Sequence, residues 1–218
     1  MIPDKSTRQD NGRNARELLR AHRYGALGTL SKKFDGHPYT SIAPYLVDHD
    51  GSLLILISGL AEHTKNLLHD ARVSLITHNQ DDPHIQTQGR VTVLGDAALQ
   101  KDRAGCARRY LRYFPEAQTY YDMADFQFFR IVPRAVRYIG GFGDIHWVKA
   151  EQYLLPHHAL MDEEETLLAE LNAGSAPEQQ YVGIDGDGYD RRADGRIVRH
   201  TFAQPVHNAD EARKALTA

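Results

Sequence analysis

Short apolar runs separated by turn-forming residues fill the first two thirds of the chain, and this pattern is typical of strands. Clusters such as DHDG at 48–51 lie between the runs and favour hairpin turns. The run at 85–94 alternates, so Gln88 and Arg90 are predicted to share one face of a strand. The predicted strands lie at 25–30, 38–47, 53–57, 73–78, 85–94, 126–140 (interrupted by Pro133) and 145–148.

Helical periodicity is confined to a few segments. The predicted helices lie at 14–24, 97–114, 115–121, 162–171 and 209–216, with one more short helix around Leu67 and Leu68. Many short strands joined by hairpins, with few long helices between them, favour an antiparallel barrel over a doubly wound parallel sheet. The fold class is therefore predicted to be mainly β with α.

The character of the chain changes after about Leu155, where a linker at 156–158 precedes a small α+β segment. The acidic run DGDG at 185–188 suggests calcium binding, but the register that an EF-hand loop needs fails after Asp187. A hairpin turn is the favoured interpretation. The predicted organisation is a flexible tail at 1–13, a barrel domain at 14–153 and a C-terminal domain at 159–218.

Composition narrows the functional classes. The chain has 218 residues, 41% of them hydrophobic and 25% charged, with a formal net charge of −3, which argues against general nucleic-acid binding. No apolar run approaches the length of a membrane span, and the polar N-terminus has no signal-peptide core. The single cysteine, Cys106, fits a reducing compartment, so a cytoplasmic protein is expected.

Polar side chains crowd the turn after the third predicted strand. The apolar run 53–57 is followed by a turn, a short helix and another strand. The start of a helix attracts anions through its free N–H groups and its dipole, and hydroxyl and ammonium groups add to the attraction for a phosphate. The alternative is a capped helix with solvated side chains. The candidate phosphate ligands are Ser58, His63, Thr64, Lys65 and Asn66.

Two further polar pairs, Thr40 with Ser41 and Gln88 with Arg90, lie on neighbouring predicted strands. They are suited to a phosphate ligand that carries a flat polar ring. Each pair alone is more often a set of satisfied surface groups, but their joint occurrence favours a shared site. None of the 12 histidines has zinc-site spacing, so no metal is predicted, and no catalytic nucleophile can be assigned.

Several motifs occur in the order found in one protein family. They are GALGTL at 25–30, the stretch at 36–76, GRVTVLGDA at 89–97, the segment at 108–125 and GGFGDIHWV at 140–148. Together they resemble the haem-utilisation (HugZ/HutZ-like) branch of the pyridoxamine 5′-phosphate oxidase-like superfamily. The likeness covers about residues 14–150.

The resemblance implies a split β-barrel that forms a homodimer, with flavin mononucleotide (FMN) at the dimer interface, and an FMN-dependent oxidoreductase function. The basic pair that holds the flavin phosphate in that family matches Thr64 and Lys65, so a hydroxyl replaces one cation here. Gln88 matches a glutamine near the flavin ring, and Trp147 matches an aromatic residue there.

The open side of such a barrel would bury Ile42, Tyr45 and Leu46 in a twofold dimer. The run VGIDGDGYDRR at 182–192 also resembles a small domain appended in this branch, but its helix at 163–174 lacks the histidine motif of that domain. A haem-binding or haem-degrading protein without flavin is the first alternative. A module that holds FMN or another phosphate ligand without turnover is the second, and the substrate is not indicated.

Overall fold

An antiparallel eight-stranded sheet curls into a half-barrel around the first helix, in the strand order β2-β1-β5-β6-β7-β4-β3, with β8 paired to β7. The computed structural model describes residues 5–79 and 82–217. Helices of this part are α1 (Lys5–Arg20), α2 (Glu62–His69), α3 (Arg103–Tyr113), α4 (Gln118–Tyr121) and α5 (Ala150–Tyr153). Strands are β1 (Tyr24–Leu30), β2 (Pro38–Pro44), β3 (Leu46–Val47), β4 (Leu53–Ser58), β5 (Arg72–His78), β6 (Arg90–Leu99), β7 (Phe126–Gly141) and β8 (Asp144–Lys149). The predicted fold class is confirmed.

Alternation along the strands decides which side chains form the core. Leu27, Leu75, Val93 and Val136 are fully buried on the inner face, where Leu19 of α1 packs against them. Their neighbours in sequence point the other way, as the period of two in a strand requires. The half-barrel therefore has a filled inner face and an outer face that α1 leaves uncovered.

Strand β7 is continuous through Pro133, which was predicted to interrupt it. Its pairing with β6 shifts register between Leu94 and Gly95, and Gly95 lies opposite Pro133. A bulge at this point accommodates a residue that has no N–H to donate. A Cβ on Gly95 would overlap the carbonyl oxygen of Val132, so only glycine fits there.

Several predicted boundaries were wrong. Helix α1 begins at Lys5 and not at residue 14, because 5–13 contains no apolar residue from which a period could be recognised. Strand β6 begins at Arg90, since 85–88 turns back through N–H bonds from Thr87 and Gln88 to the His84 carbonyl. Residues 97–99 continue β6, and α3 starts only after Asp102, whose carboxylate accepts from the Gly105 N–H at 2.8 Å.

The C-terminal part forms a second, three-stranded sheet covered by two helices. Its elements are α6 (Leu160–Leu171), β9 (Tyr181–Asp185), β10 (Gly188–Ala193), β11 (Arg196–Thr201) and α7 (Ala209–Thr217). It has its own apolar cluster, in which Leu160, Leu167, Ile184 and Ala212 are fully buried. The DGDG run forms the β9–β10 turn, as predicted. We refer to residues 159–217 as the C-terminal module.

Among the described helices, none combines the length and apolar character that crossing a membrane requires.

Candidate functional site

The strand, turn, helix and strand predicted around 53–78 are present as β4, α2 and β5. The hydroxyls at the turn bond within the protein. Thr64 is fully buried, and its hydroxyl donates to the Ser58 carbonyl at 2.6 Å. The Ser58 hydroxyl donates to the Asp125 carboxylate at 2.6 Å and accepts from the Leu60 N–H at 3.1 Å. These contacts fix the turn and place a carboxylate beside it.

Lys65 and Asn66 are also engaged. The Lys65 ammonium is half exposed and pairs with Glu62, one turn earlier, at 2.8 Å. Asn66 is buried, donates to the Thr29 hydroxyl at 3.0 Å and accepts from the Lys32 N–H at 2.9 Å. Asn66 thus holds α2 against the β1–β2 hairpin, which is a structural role.

His63 and Ser41 meet beside the same helix. The Ser41 hydroxyl lies 3.0 Å from Nδ1 of His63. Burial lowers the pKa of His63, so its imidazole is neutral at neutral pH. Thr40 is exposed and, as the neighbour of Ser41 in β2, points to the opposite face of the sheet.

Gln88 and Arg90 lie elsewhere. Gln88 precedes β6 and is buried, with Nε2 donating to the Asp82 carbonyl at 3.2 Å. Its Oε1 has no hydrogen-bond partner within 5–79 and 82–217. Arg90 donates to the Ile85 carbonyl at 3.2 Å and so steadies the 85–88 turn. The two residues do not share the strand face that was predicted for them.

The two groups of candidates lie at opposite ends of β5. Thr29, which contacts α2, pairs with Val73 near the start of β5, whereas Arg90 pairs with His78 at its end. His78 lies five residues along the strand from Val73, or about 17 Å away. Within one chain, the predicted phosphate ligands and Gln88 therefore do not converge on one small site.

A third group of residues lines the outer face of β5 to β8, and the sequence singled out only Arg90 and Trp147 among them. Strand pairing places Ile76, Thr92, Arg137 and Trp147 in one row across the sheet. A second row beside it contains His78, Arg90, Ile139 and Ile145. We call these eight residues the outer-face patch.

The outer-face patch combines apolar area with positive charge. Trp147 is 59% exposed, Ile145 46% and Ile76 37%. The Arg137 guanidinium lies 5.2 Å from the centre of the Trp147 ring, which is a cation–π contact. An exposed apolar area of this kind is typical of a binding surface. Trp147 is the one predicted site residue whose ring is open to a ligand here.

His78 gives the patch a potential ligand atom. Its Nδ1 lies 3.0 Å from the Asn79 carbonyl and 3.3 Å from Nε2 of Gln88. A tautomer with the proton on Nδ1 donates to that carbonyl and leaves a lone pair on Nε2. Imidazoles that bind metals are usually oriented by such a bond from the second nitrogen. Sequence could not reveal His78, since its importance depends on the register between β5, β6 and β7.

The predicted dimer residues separate into two classes. Ile42 is 63% exposed on the outer side of β2, next to the outer-face patch through Ala26 and Ile76. Tyr45 and Leu46 are buried in the core, and the Tyr45 hydroxyl donates to the Leu19 carbonyl of α1 at 2.8 Å. The prediction that Tyr45 and Leu46 lie in an interface was therefore wrong.

Carboxylates of Glu17, Asp185 and Asp187 form the one described group of three or more potential metal ligands whose ligand atoms lie within 4.8 Å of one another. Guanidinium groups already neutralise it: Arg16 and Arg20 bind Asp187 at 2.7 and 2.6 Å, and Arg199 binds Asp185 at 2.7 Å. The carboxylates of this cluster therefore form ion pairs with arginines.

Comparison with known proteins agrees with this architecture. The chloroplastic non-canonical haem oxygenase HOZ of Arabidopsis thaliana is 32% identical over 219 residues, covering 91% of this chain and 67% of that protein. A protein of unknown function from Agrobacterium tumefaciens is 25% identical, with a TM-score of 0.82 over 100% of this chain and 98% of the other. A haem-binding protein of Mycobacterium smegmatis is also 25% identical, with a TM-score of 0.61 over 100% of this chain and 96% of the other.

The family model of the CREG β-barrel matches residues 6–155, which include α1 and the whole curled sheet. A protein of Clostridium acetobutylicum that is related to general stress protein 26 and is assigned to the pyridoxinephosphate oxidase family shares the fold. It is 13% identical, with a TM-score of 0.52 over 66% of this chain and 98% of the other, in agreement with the fold that the motifs at 25–148 indicated. The chain is therefore a member of the CREG β-barrel family, and its fold is that of the pyridoxamine 5′-phosphate oxidase-like split barrels.

Proposed function

We propose that this protein binds haem on the outer-face patch, with His78 as the ligand of the iron. The observation that carries the proposal is the combination, on one exposed sheet face, of apolar side chains, arginines and an imidazole. Two relatives that match almost the whole chain, the Arabidopsis haem oxygenase and the mycobacterial haem-binding protein, support the choice of ligand.

The patch fits the chemistry of haem. A porphyrin is a flat apolar plate with two carboxylate groups at one edge, and its iron takes an imidazole nitrogen as a ligand. Trp147 and Ile145 offer apolar area, and Arg137 and Arg90 offer guanidinium groups for the carboxylates. Nε2 of His78 is the donor atom in this arrangement. Bound haem supplies the redox chemistry, and the patch supplies binding and orientation.

The α2 turn fits an FMN phosphate less well. Thr64, Ser58, Lys65 and Asn66 all bond within the protein. The carboxylate of Asp125, 2.6 Å from the Ser58 hydroxyl, would repel a phosphate at that point. A phosphate would have to displace several internal bonds before it gained any of its own.

An FMN-binding oxidoreductase is the second candidate. The free Oε1 of buried Gln88 favours it, since a flavin ring carries an N–H that such an oxygen accepts. Proteins with this fold typically bind a flavin. In that case FMN would bind between two subunits, so that it contacts the α2 residues of one copy and Gln88 of the other. A module that binds FMN without turnover would share these contacts.

We further propose a homodimer formed through the outer side of the sheet. Ile42 and Leu94 are exposed apolar residues on the outer side of β2 and β6, and Ile76 of the outer-face patch lies on β5 in the same sheet. A second copy would remove this area from water and would cover a ligand bound beside it. We also propose that the barrel at 14–153 and the C-terminal domain at 159–218 are two folding units. The expected location of the protein is the cytoplasm.

Separate titrations with haemin and FMN test the first two candidates. Haem binding should give a saturable change of the Soret band, whereas FMN fluorescence and absorption should change little at the same concentrations. Oxidative degradation needs O2 and an electron donor, so loss of the Soret band on addition of ascorbate in air would indicate turnover. Saturable FMN binding without any Soret change would overturn the haem proposal and favour the flavoprotein.

A further inference from the structure

The surface between the barrel and the C-terminal module is built from buried ion pairs. On the barrel side, arginines of α1 and α3 face carboxylates of the module. Arg16 and Arg20 bind Asp187, and Arg20 also binds Asp185 at 3.1 Å. Arg109 and Arg112 both bind Glu164 of α6. Most of these groups are almost completely buried, so the contact depends on matched charge.

Three imidazoles lie at the same junction. His49 comes from the β3–β4 turn of the barrel, His158 from the linker and His207 from the segment before α7. His49 is 8% exposed; its Nε2 lies 2.6 Å from Arg109 and 3.2 Å from Glu164. The rings of His158 and His207 meet edge to face, with centroids 5.6 Å apart. The junction therefore joins barrel, linker and module through histidines as well as ion pairs.

His158 is poorly suited to carry a proton in this position. Both of its ring nitrogens are covered, and neither forms a hydrogen bond of good geometry in the part of the chain that the structure describes. The His207 backbone is close enough to favour the protonated ring to a small extent. Nε2 of His158 faces Gly186 of the β9–β10 turn, where an added Cβ would lie 3.4 Å away. A protonated imidazole has two N–H donors, and burying them without acceptors is costly. The docked module thus favours the neutral ring.

We propose that His158 makes docking of the C-terminal module sensitive to acid, so that its protonation loosens the module from the barrel under mildly acidic conditions. The proposal concerns the junction only and does not depend on which cofactor the barrel binds. The functional consequence is a pH-dependent release of residues 159–217 from α1 and α3.

The surrounding charges agree with this direction. Burial lowers the pKa of His158 below its ordinary value of 6.5, and the nearby imidazoles of His49 and His207 lower it further. Asp185 and the His207 carbonyl act in the opposite direction with smaller effect. Arg109 and Glu164 both contact His49. The oxygens of Asp185 are already occupied by Arg20 and Arg199.

The sign of the effect follows from the lowered pKa. The docked state binds fewer protons than the released state, so docking is strongest above the ordinary pKa and weakens as the pH falls through 6.5 towards the docked value. The carboxylates do not titrate in this range, because ion pairs hold the pKa of Asp185 and Glu164 below ordinary values. Between pH 7.5 and 5.5, protonation of His158 is therefore expected to change the contact.

Amide hydrogen exchange at pH 7.5, 6.5 and 5.5, corrected for intrinsic rates, tests the proposal on the full chain. Exchange in 154–160 and 182–190 should rise several-fold on acidification, while β5 and β6 stay protected. In His158→Gln the side chain at this position cannot be protonated, so exchange in these two segments should not change with pH. His84→Gln is the matched control, since His84 is exposed in a distant loop and should behave like the wild type.

If amide exchange in 154–160 and 182–190 of His158→Gln rises on acidification as it does in the wild type, the proposal is overturned. If that variant fails to fold at pH 7.5, an NMR titration of the His158 ring in the wild type decides instead. A ring that protonates near pH 6.5 while exchange at 182–190 stays unchanged would also overturn it. A ring whose protonation is displaced to lower pH, together with increased exchange, is the expected result.

Discussion

At the residue scale, buried arginine–carboxylate pairs are the most consequential feature outside the proposed ligand site. Asp187 has 1% of its side chain exposed and accepts from both Arg16 and Arg20. Removing water from such groups costs free energy that only good geometry and several partners offset. The DGDG run, which could suggest calcium, instead supplies the carboxylates that bind α1. Each charge in the cluster therefore depends on the presence of the others.

Replacing Asp187 by Asn should destabilise the protein strongly. The side chain keeps its shape but loses its charge, which leaves Arg16 and Arg20 buried with too few acceptors. Loss of one partner of a buried ion pair typically costs about 3–5 kcal/mol in the free energy of unfolding. Urea unfolding at pH 7.5 measures this loss of stability. Asp194→Asn, in an exposed turn that tolerates asparagine at positive φ, should be close to neutral; equal effects at the two sites would contradict this account.

Sequence predicted residue types at the site better than their partners. His63, Thr64 and Asn66 lie in the short helix α2, which follows the turn that the local pattern indicated. Two of their hydrogen bonds, to Ser41 and Thr29, join strands distant in sequence, and the third goes to the Ser58 carbonyl at the end of β4. These bonds occupy the groups expected to bind phosphate. His78 and Arg137 could not be predicted, because strand register brings them onto one face.

At the scale of elements, the bulge between β6 and β7 shapes the half-barrel. It lets β7 pass through Pro133 and continue to Gly141, so one strand pairs with β4, β6 and β8 in turn. The sequence predicted two pieces here, because proline in a strand usually ends the pairing. The bulge appears only in the register between β6 and β7, and the hydrophobic pattern of a single strand does not predict that register. Most of the strands were placed nearly correctly, but the strand predicted at 85–94 lies at 90–99.

Gly95→Ala should disturb this bulge. The added methyl group would overlap the Val132 carbonyl, so the backbone of β7 must shift. Overpacking of this kind costs about 1–3 kcal/mol of stability. Thermal unfolding should show a lower midpoint than in Gly141→Ala, where the new Cβ would lie 3.5 Å from its nearest neighbour, the Thr87 carbonyl. Equal midpoints in the two variants would show that the bulge relaxes without cost.

At the scale of the whole molecule, one side of the sheet is packed and the other is open. Helix α1 and the inner-face residues fill the concave side, and the C-terminal module attaches to α1 and α3 through charge. The opposite side presents Ile42, Ile76 and Trp147 to solvent. Hydrophobic patterning predicted the mainly β class, and the order of the motifs indicated the type of barrel. The pattern did not distinguish the two sides, since both carry apolar residues.

The proposed homodimer should depend on Ile42. A charge at this exposed position on the outer side would be buried without a partner in the dimer. Ile42→Asp should therefore be monomeric at micromolar concentration by light scattering, whereas the wild type is dimeric. Leu68→Asp is the control, because Leu68 has a similar exposure, 61%, but lies on α2. A dimer that persists in Ile42→Asp would place the interface elsewhere.

The haem proposal is tested most directly by titrating haemin into the wild type, His78→Ala and His84→Ala while the Soret band is recorded. His84 lies near His78 in sequence but is exposed and paired with Asp82 at 3.0 Å, so its loss should change nothing. The wild type and His84→Ala should saturate with a shifted, sharpened Soret band, and His78→Ala should lose that shift and bind haem more weakly. A wild-type spectrum that shows only free haemin, or a His78→Ala titration identical to that of the wild type, would contradict the assignment of His78 on the outer-face patch.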